Sequence, residues 1–358
     1  MPNNIQAIFI SGRFRSGSSF LWQLFDDMEG FCAWYEPLHP QLLSSIQHVE
    51  PKKDHVGIRD YWTAYRKHPQ FDSHYQTEFS TNQLYMEATD DYPELERYIR
   101  SLIQLSAPDI PVLQFNRVDL RLAWLHDRFP EAKIIHIERN PMQLYHSQRK
   151  HIPEISQHDA NYWDAYELLP WCYALSNTFP FLLNETQPHA FYRFYILHQL
   201  SSIIGNVFSD VSINLDQHVF ESEFFVTALN KVIPLTQTQQ SLIKSKIQVP
   251  EFPLFDETLT DSLAELMTEV DLLLNASGLA EHLAQWPLKE IKSKYSEFWS
   301  NMAHHKSCDY SQLLSQMNVL QTEMTRILAE NNRLKQRLQE QLEKPIGAEP
   351  INLNQTNE

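Results

Sequence analysis

Glycine is scarce in this chain, with seven in 358 residues. Cysteine is scarcer. Cys32, Cys172 and Cys308 are widely spaced and odd in number, so they suggest no disulfide framework and point to a reducing compartment. Bases are in deficit, with 29 Lys and Arg against 45 Asp and Glu. The resulting formal charge of −16 argues against nucleic acid or an anionic membrane as partner. Long apolar runs are missing too. The first, Ile5–Ile10, is a strand's length, and no basic segment precedes it as in a secretory leader. These absences lead us to expect a cytoplasmic protein with no membrane partner. The length suits one domain of about 300 residues with appendages.

Two of the seven glycines bracket one short loop. Residues 8–25 read Ile-Phe-Ile-Ser-Gly-Arg-Phe-Arg-Ser-Gly-Ser-Ser-Phe-Leu-Trp-Gln-Leu-Phe. An apolar strand ends at Gly12, four residues follow, and Gly17 precedes a helix with Phe20, Leu21, Leu24 and Phe25 on its buried side. Strand, glycine loop and helix start form an anion cradle of N–H groups reinforced by the helix dipole. The spacing matches the nucleotide loop G-x-x-x-x-G-K-[ST], but Ser18 stands where the lysine belongs and Arg15 sits inside the loop. Loss of the lysine argues against triphosphate chemistry. An arginine in the loop suits a tetrahedral oxyanion held without a metal.

A second segment, residues 133–149, reads Lys-Ile-Ile-His-Ile-Glu-Arg-Asn-Pro-Met-Gln-Leu-Tyr-His-Ser-Gln-Arg. Ile134–Ile137 is a short strand, and Asn140-Pro141 opens a helix. Arg139 therefore sits at a strand's carboxyl end, where parallel sheets bind ligands, and Ser147 lies two helical turns further on.

Together the two segments resemble the sulfotransferase family, and most closely its carbohydrate branch and the bacterial relatives of that branch. The Arg-Ser-Gly-Ser-Ser-Phe run, the following Glu36-Pro37 and the stretch Gln114-Phe115-Asn116-Arg117-Val118-Asp119 all carry the resemblance. It implies an α/β, P-loop-like fold with a central parallel sheet flanked by helices. It also implies 3′-phosphoadenosine 5′-phosphosulfate (PAPS) as donor, with no metal. Arg15, Ser16, Gly17, Ser18 and Ser19 would hold the 5′-phosphosulfate, while Arg139 and Ser147 would hold the 3′-phosphate. The basic residues Arg13, Arg15, Arg139, Arg149 and Lys150 would form a local positive island in an acidic protein. Where the family often continues Arg-Asp-Pro-Arg, this chain has Asn140 and Met142. That difference removes a carboxylate buttress from beside Arg139 and leaves Arg149 as the candidate replacement for the lost charge.

The implied reaction moves a sulfuryl group to an acceptor hydroxyl on a carbohydrate or small metabolite. Its general base is expected to be Glu36, with His39 as the other candidate; Trp34 and Tyr35 would desolvate Glu36 and raise its pKa. Two readings compete with this one. The first is a small-molecule kinase with an atypical loop. The second is a non-catalytic dimeric adaptor, against which stand Arg15, Arg139, Ser147 and Glu36.

Elsewhere the residues between Pro40 and Pro111 look mostly helical, including an amphipathic helix at 92–107. Tyr61, Trp62, Tyr65, Phe71 and Tyr75 fit an aromatic core patch better than an acceptor wall. Val112–Phe115 and Val211–Leu215 read as further strands, with helices at 119–128 and 190–208. Phe191–Tyr195 continues at helical spacing and reads as core. His304, His305 and Cys308 lack a second ligand pair and are not assigned a metal. From Tyr310 a heptad pattern places Leu313, Leu320, Ile327 and Leu334 at d, with Asn331 at a. This predicts a C-terminal coiled coil over 306–344 joining a homodimer, or else a helix folded back on its own domain. The catalytic domain would span 1–305 and a disordered tail 345–358.

Overall fold

The computed structural model describes residues 7–48, 58, 60–149, 166, 168–183, 189–218, 222–247, 257–276 and 334. By its internal contacts the chain divides into Met1–His304 and His305–Glu358, and the fold below belongs to the first unit. Apart from Leu334, the heptads and the tail lie outside the described residues.

Five parallel strands form one sheet in the order β2-β3-β1-β4-β5. The strands are β1 (Ala7–Gly12), β2 (Phe31–Tyr35), β3 (Ile110–Phe115), β4 (Ala132–Glu138) and β5 (Val211–Asn214). Every residue of β1 is buried, as a central strand covered on both faces requires. The architecture is the α/β parallel sheet that the sequence led us to expect.

The register decides what emerges at the carboxyl edge. Gly12 is level with Ile137, Ser11 with Phe115, Tyr35 with Gln114, and Glu138 with Asn214. The loop after β1, Glu36, Asn116, Arg139 and the turn after β5 therefore leave the sheet side by side. The β1 connection runs toward β2 on one side, whereas the β4 connection runs toward β5 on the other. With right-handed crossovers those connections lie on opposite faces, so the switch point of the sheet falls between β1 and β4, where open α/β sheets bind ligands.

Helices cover both faces. Ser18–Asp26 packs on β2 and β3, and Ala190–Phe208 on β4, β5 and β1. Ala190–Phe208 has the predicted bounds and buries Phe191, Tyr192, Phe194 and Tyr195. Pro93–Leu105 buries Leu95, Tyr98, Ile99 and Leu102, with Pro93 in its first turn, where the missing N–H costs nothing. β5 stops at Asn214, one residue short of the expected end, because Leu215 opens a short helix to His218. Among the described residues no helix is long and apolar enough to cross a membrane.

The region between Pro40 and Pro111 is less helical than its sequence suggests. Short helices at Leu42–His48 and Thr63–Lys67 are followed by short 3₁₀ helices at Pro69–His74 and Thr77–Ser80. Aromatic packing and a buried guanidinium shape it instead. Tyr61, Trp62, Tyr65 and Phe71 are all buried. Arg121 donates to the carbonyls of Phe79, Asn82 and Gln83, so one side chain satisfies a whole turn. Burial lowers its pKa to about 10, which leaves it charged at neutral pH.

Candidate active site

The loop between β1 and the helix Ser18–Asp26 contains two residues in the left-handed region, Arg15 at φ 71° and Gly17 at φ 100°. The Ser16 N–H closes this turn on the Arg13 carbonyl at 3.0 Å, and Gly17 accepts its positive φ without strain. Gly12 is required for a different reason. A Cβ there would lie 2.6 Å from Ser16 Oγ and 2.7 Å from Ile137 O, so the tight return of the loop over β1 needs its absence.

The two loop arginines have different partners. Arg13, expected among the donor ligands, is 5 % exposed and pairs with the buried Asp119 at 3.1 Å, with its guanidinium 4.7 Å from the Trp171 ring centre. It belongs to the interior, where a charge must be paired. Arg15 is half-buried, and its Nε donates to Ser147 Oγ at 3.1 Å. One hydrogen bond thus joins the two sequence motifs. Gln148 adds a second link, its Nε2 donating to the Phe14 carbonyl at 3.1 Å.

At the end of β4, Asn140 caps the helix Pro141–Arg149, its Oδ1 accepting from the N–H groups of Met142 and Gln143. Arg139 does not lack a buttress, contrary to the sequence expectation. Asp216, which directly follows Leu215 at the end of β5, accepts from Arg139 Nε at 3.2 Å and from the Asn140 N–H. His198 Nε2 meets the Arg139 carbonyl at 3.0 Å. Arg149 ends the helix, and its side chain lies outside the described residues.

Glu36 follows β2 with φ 43°, a strained value for a non-glycine residue. It is held at both ends. Its N–H donates to Gln114 Oε1 at 3.2 Å, and its carboxylate accepts from Asn116 Nδ2. Gln114 Nε2 donates to Ser18 Oγ at 3.0 Å and to Asn116 Oδ1 at 2.8 Å, while Ser18 Oγ donates to Asn116 Oδ1 at 3.0 Å. The Ser18 hydroxyl, expected to face the donor, is instead committed to this buried network, which ties the helix start to Glu36. Ser16 is fully buried over Gly12, and Ser19 shares a 3.1 Å hydrogen bond with the Tyr35 hydroxyl.

Tyrosines surround the carboxylate. Tyr35 and Tyr61 stack at 4.4 Å. Burial pushes the Tyr61 phenol up to about 12, with the Glu36 charge adding and Arg15 opposing. Tyr166 is also raised, first by burial, and it too feels Arg15 and Glu36. Two phenols therefore sense the loop arginine and the carboxylate at once. Trp34 is not the desolvating neighbour expected: its indole is buried, donating to Ser106 Oγ at 2.8 Å and packing on Tyr65. His39 sits in the turn after Glu36, its Nδ1 accepting from the Gln41 N–H at 3.1 Å.

Gln114 and Asn116 entered the sequence analysis only through the resemblance, and Asp216 and His198 did not enter it at all. Asp216 has no local motif and acts from 77 residues away.

No curated protein sequence matches the chain. A model of the sulfotransferase family matches residues 7–195, which is more than half of the chain. That span holds the loop after β1, the turn after β4 and the hydrogen-bond network around Glu36, so the sequence match and the geometry coincide: the chain is a member of the sulfotransferase family and, by that membership, a transferase.

Proposed function

We propose that this chain transfers a sulfuryl group from PAPS to an acceptor hydroxyl on a carbohydrate or small metabolite. The observation that supports it best is the Arg15–Ser147 hydrogen bond, which brings the two anion-binding motifs together at the switch point of a parallel sheet. The donor set fits a nucleotide bearing anions at both ends. One end would meet the loop N–H groups, the helix start and Arg15. The other would meet Ser147 and Arg139, whose terminal amines have no partner among the described residues.

PAPS supplies the sulfuryl group and a 5′-phosphate leaving group. The acceptor oxygen forms a bond to sulfur as the bond from sulfur to the 5′-phosphate oxygen breaks, and the acceptor proton passes to Glu36. The products are a sulfate ester and 3′,5′-adenosine diphosphate. Arg15 and the loop N–H groups stabilise the charge growing on the departing oxygen, so positioning and electrostatics carry the rate. Glu36 is the better base than His39. His39 Nδ1 already accepts a backbone N–H, so its neutral ring carries the proton on Nε2 and has no free lone pair to offer. In this reading residues 1–305 form the catalytic domain, residues 306–344 pair two copies, and residues 345–358 are a tail, all in the cytoplasm.

Titration calorimetry with 3′,5′-adenosine diphosphate tests the donor assignment. Binding at about micromolar affinity or tighter is expected, and absence of heat at high ligand concentration would remove PAPS. With cell extract as the acceptor source, mass spectrometry should show a gain of one sulfuryl group. Glu36→Gln should lower that rate by about 10²-fold or more while leaving nucleotide affinity within about twofold. Near-normal turnover would take Glu36 out of the mechanism.

A further inference from the structure

We infer that Asp216 is a positioning residue for the 3′-phosphate of the donor, acting by fixing the plane of the Arg139 guanidinium. The inference rests on the reading of Arg139 given above. Its first support is the division of labour between the two carboxylate oxygens. Oδ1 accepts from Arg139 Nε at 3.2 Å, whereas Oδ2 accepts from the N–H of Asn140. One residue thus holds the side chain and the main chain of the turn after β4. Both partners are largely covered, at 17 % side-chain exposure each, so water competes weakly for the pair.

The position of the contact on the guanidinium matters. Occupying Nε fixes the fork while leaving both terminal amines available, and these form the pair that meets a phosphate bidentately. The rotamer freedom of a long side chain is then lost on folding rather than on binding. His198 supplies a third hold. The Arg139 carbonyl can only accept, so His198 Nε2 carries the proton in that 3.0 Å contact. Arg139 is therefore fixed at its Nε, at its carbonyl and through the N–H of the next residue.

The neighbouring residue reaches the other motif. A Cβ at Gly17 would lie 2.3 Å from Leu215 Cδ2, so Leu215 rests directly on the phosphate loop. The Leu215-Asp216 pair at the end of β5 therefore touches the loop for one end of the donor and the arginine for the other. Through it a fifth strand that carries neither motif sets their separation.

The test compares two nucleotides that differ only in the 3′-phosphate, 3′,5′-adenosine diphosphate and adenosine 5′-monophosphate, by calorimetry on the full chain. Wild type should prefer the diphosphate. Asp216→Ala should narrow that preference by about tenfold and leave affinity for the monophosphate within about twofold. Asp216→Asn, which keeps the shape and one acceptor, should fall between them. Adding Asp216→Ala to Arg139→Ala should cost nothing further. A purely structural role would weaken both nucleotides alike, and an aspartate that competes with phosphate for the arginine would widen the preference on removal. Either result overturns the inference while leaving the donor assignment intact. A wild type that binds both nucleotides equally overturns the reading of Arg139, and the role of Asp216 falls with it.

Discussion

Arg15 Nε donates to Ser147 Oγ at 3.1 Å across 132 residues of sequence. Each residue belongs to a motif recognisable on its own, and the contact turns two local patterns into one site. It also orients the serine. Because Ser147 Oγ accepts from Arg15, its own O–H is directed to a different acceptor.

From this contact we expect coupling. Ser147→Ala should weaken binding of 3′,5′-adenosine diphosphate by about tenfold, and Arg15→Ala by more, since a charge-assisted donor is lost. In a double-mutant cycle the two changes should be non-additive by about 1 kcal/mol. Additive losses measured by calorimetry would mean that the two residues act separately.

Gly17 carries a backbone and a packing constraint together. Its φ of 100° disfavours any side chain, and Leu215 occupies the space that a Cβ would take. Gly17→Ala should destabilise the fold by about 2 kcal/mol or more, a fall of roughly 5 °C in Tm. Leu215→Ala in the same chain should recover only the steric part. A Gly17→Ala protein melting with wild type would contradict the loop geometry.

Two histidines make the fold sensitive to acid. Burial lowers both His136 and His198 to about 4 from an ordinary 6.5. His136 lies against Gly205 so closely that a Cβ there would sit 2.1 Å from its ring. A base held neutral in the folded state binds more protons once unfolded. Their contribution is therefore fully present above about pH 6.5 and is lost as pH falls toward about 4, at up to about 1.4 kcal/mol per pH unit for each group. Thermal melts between about pH 7.5 and 5 should show Tm falling, with a shallower slope in His198→Gln. A Tm that is level across that range would exclude this account.

Much of the site is legible in the sequence because its signals are local. The loop after β1 announces itself through Gly12 and Gly17, and the turn after β4 through Asn140-Pro141. What the sequence does not show is direction. Arg13 and Arg15 are two residues apart and look interchangeable, yet one pairs with Asp119 inside and the other meets Ser147 outside. Ser18 reads as one of the residues holding the donor, and its burial beside Gln114 and Asn116 commits its hydroxyl to them. Outside the helix Pro93–Leu105, the helical expectation between Pro40 and Pro111 falls short for a related reason: aromatic packing and the Arg121 guanidinium satisfy that backbone with short helical turns.

Strand ends and helix starts around the two motifs follow from local sequence, since apolar runs, glycine and proline act within a few residues. Which charged groups face one another is set by the packing of the fold. The parallel register sets the carboxyl ends of β1, β4 and β5 side by side, and so brings Asp216 to Arg139 and Leu215 to Gly17. Those pairings depend on distances in space between residues far apart in the chain, and no local pattern encodes them.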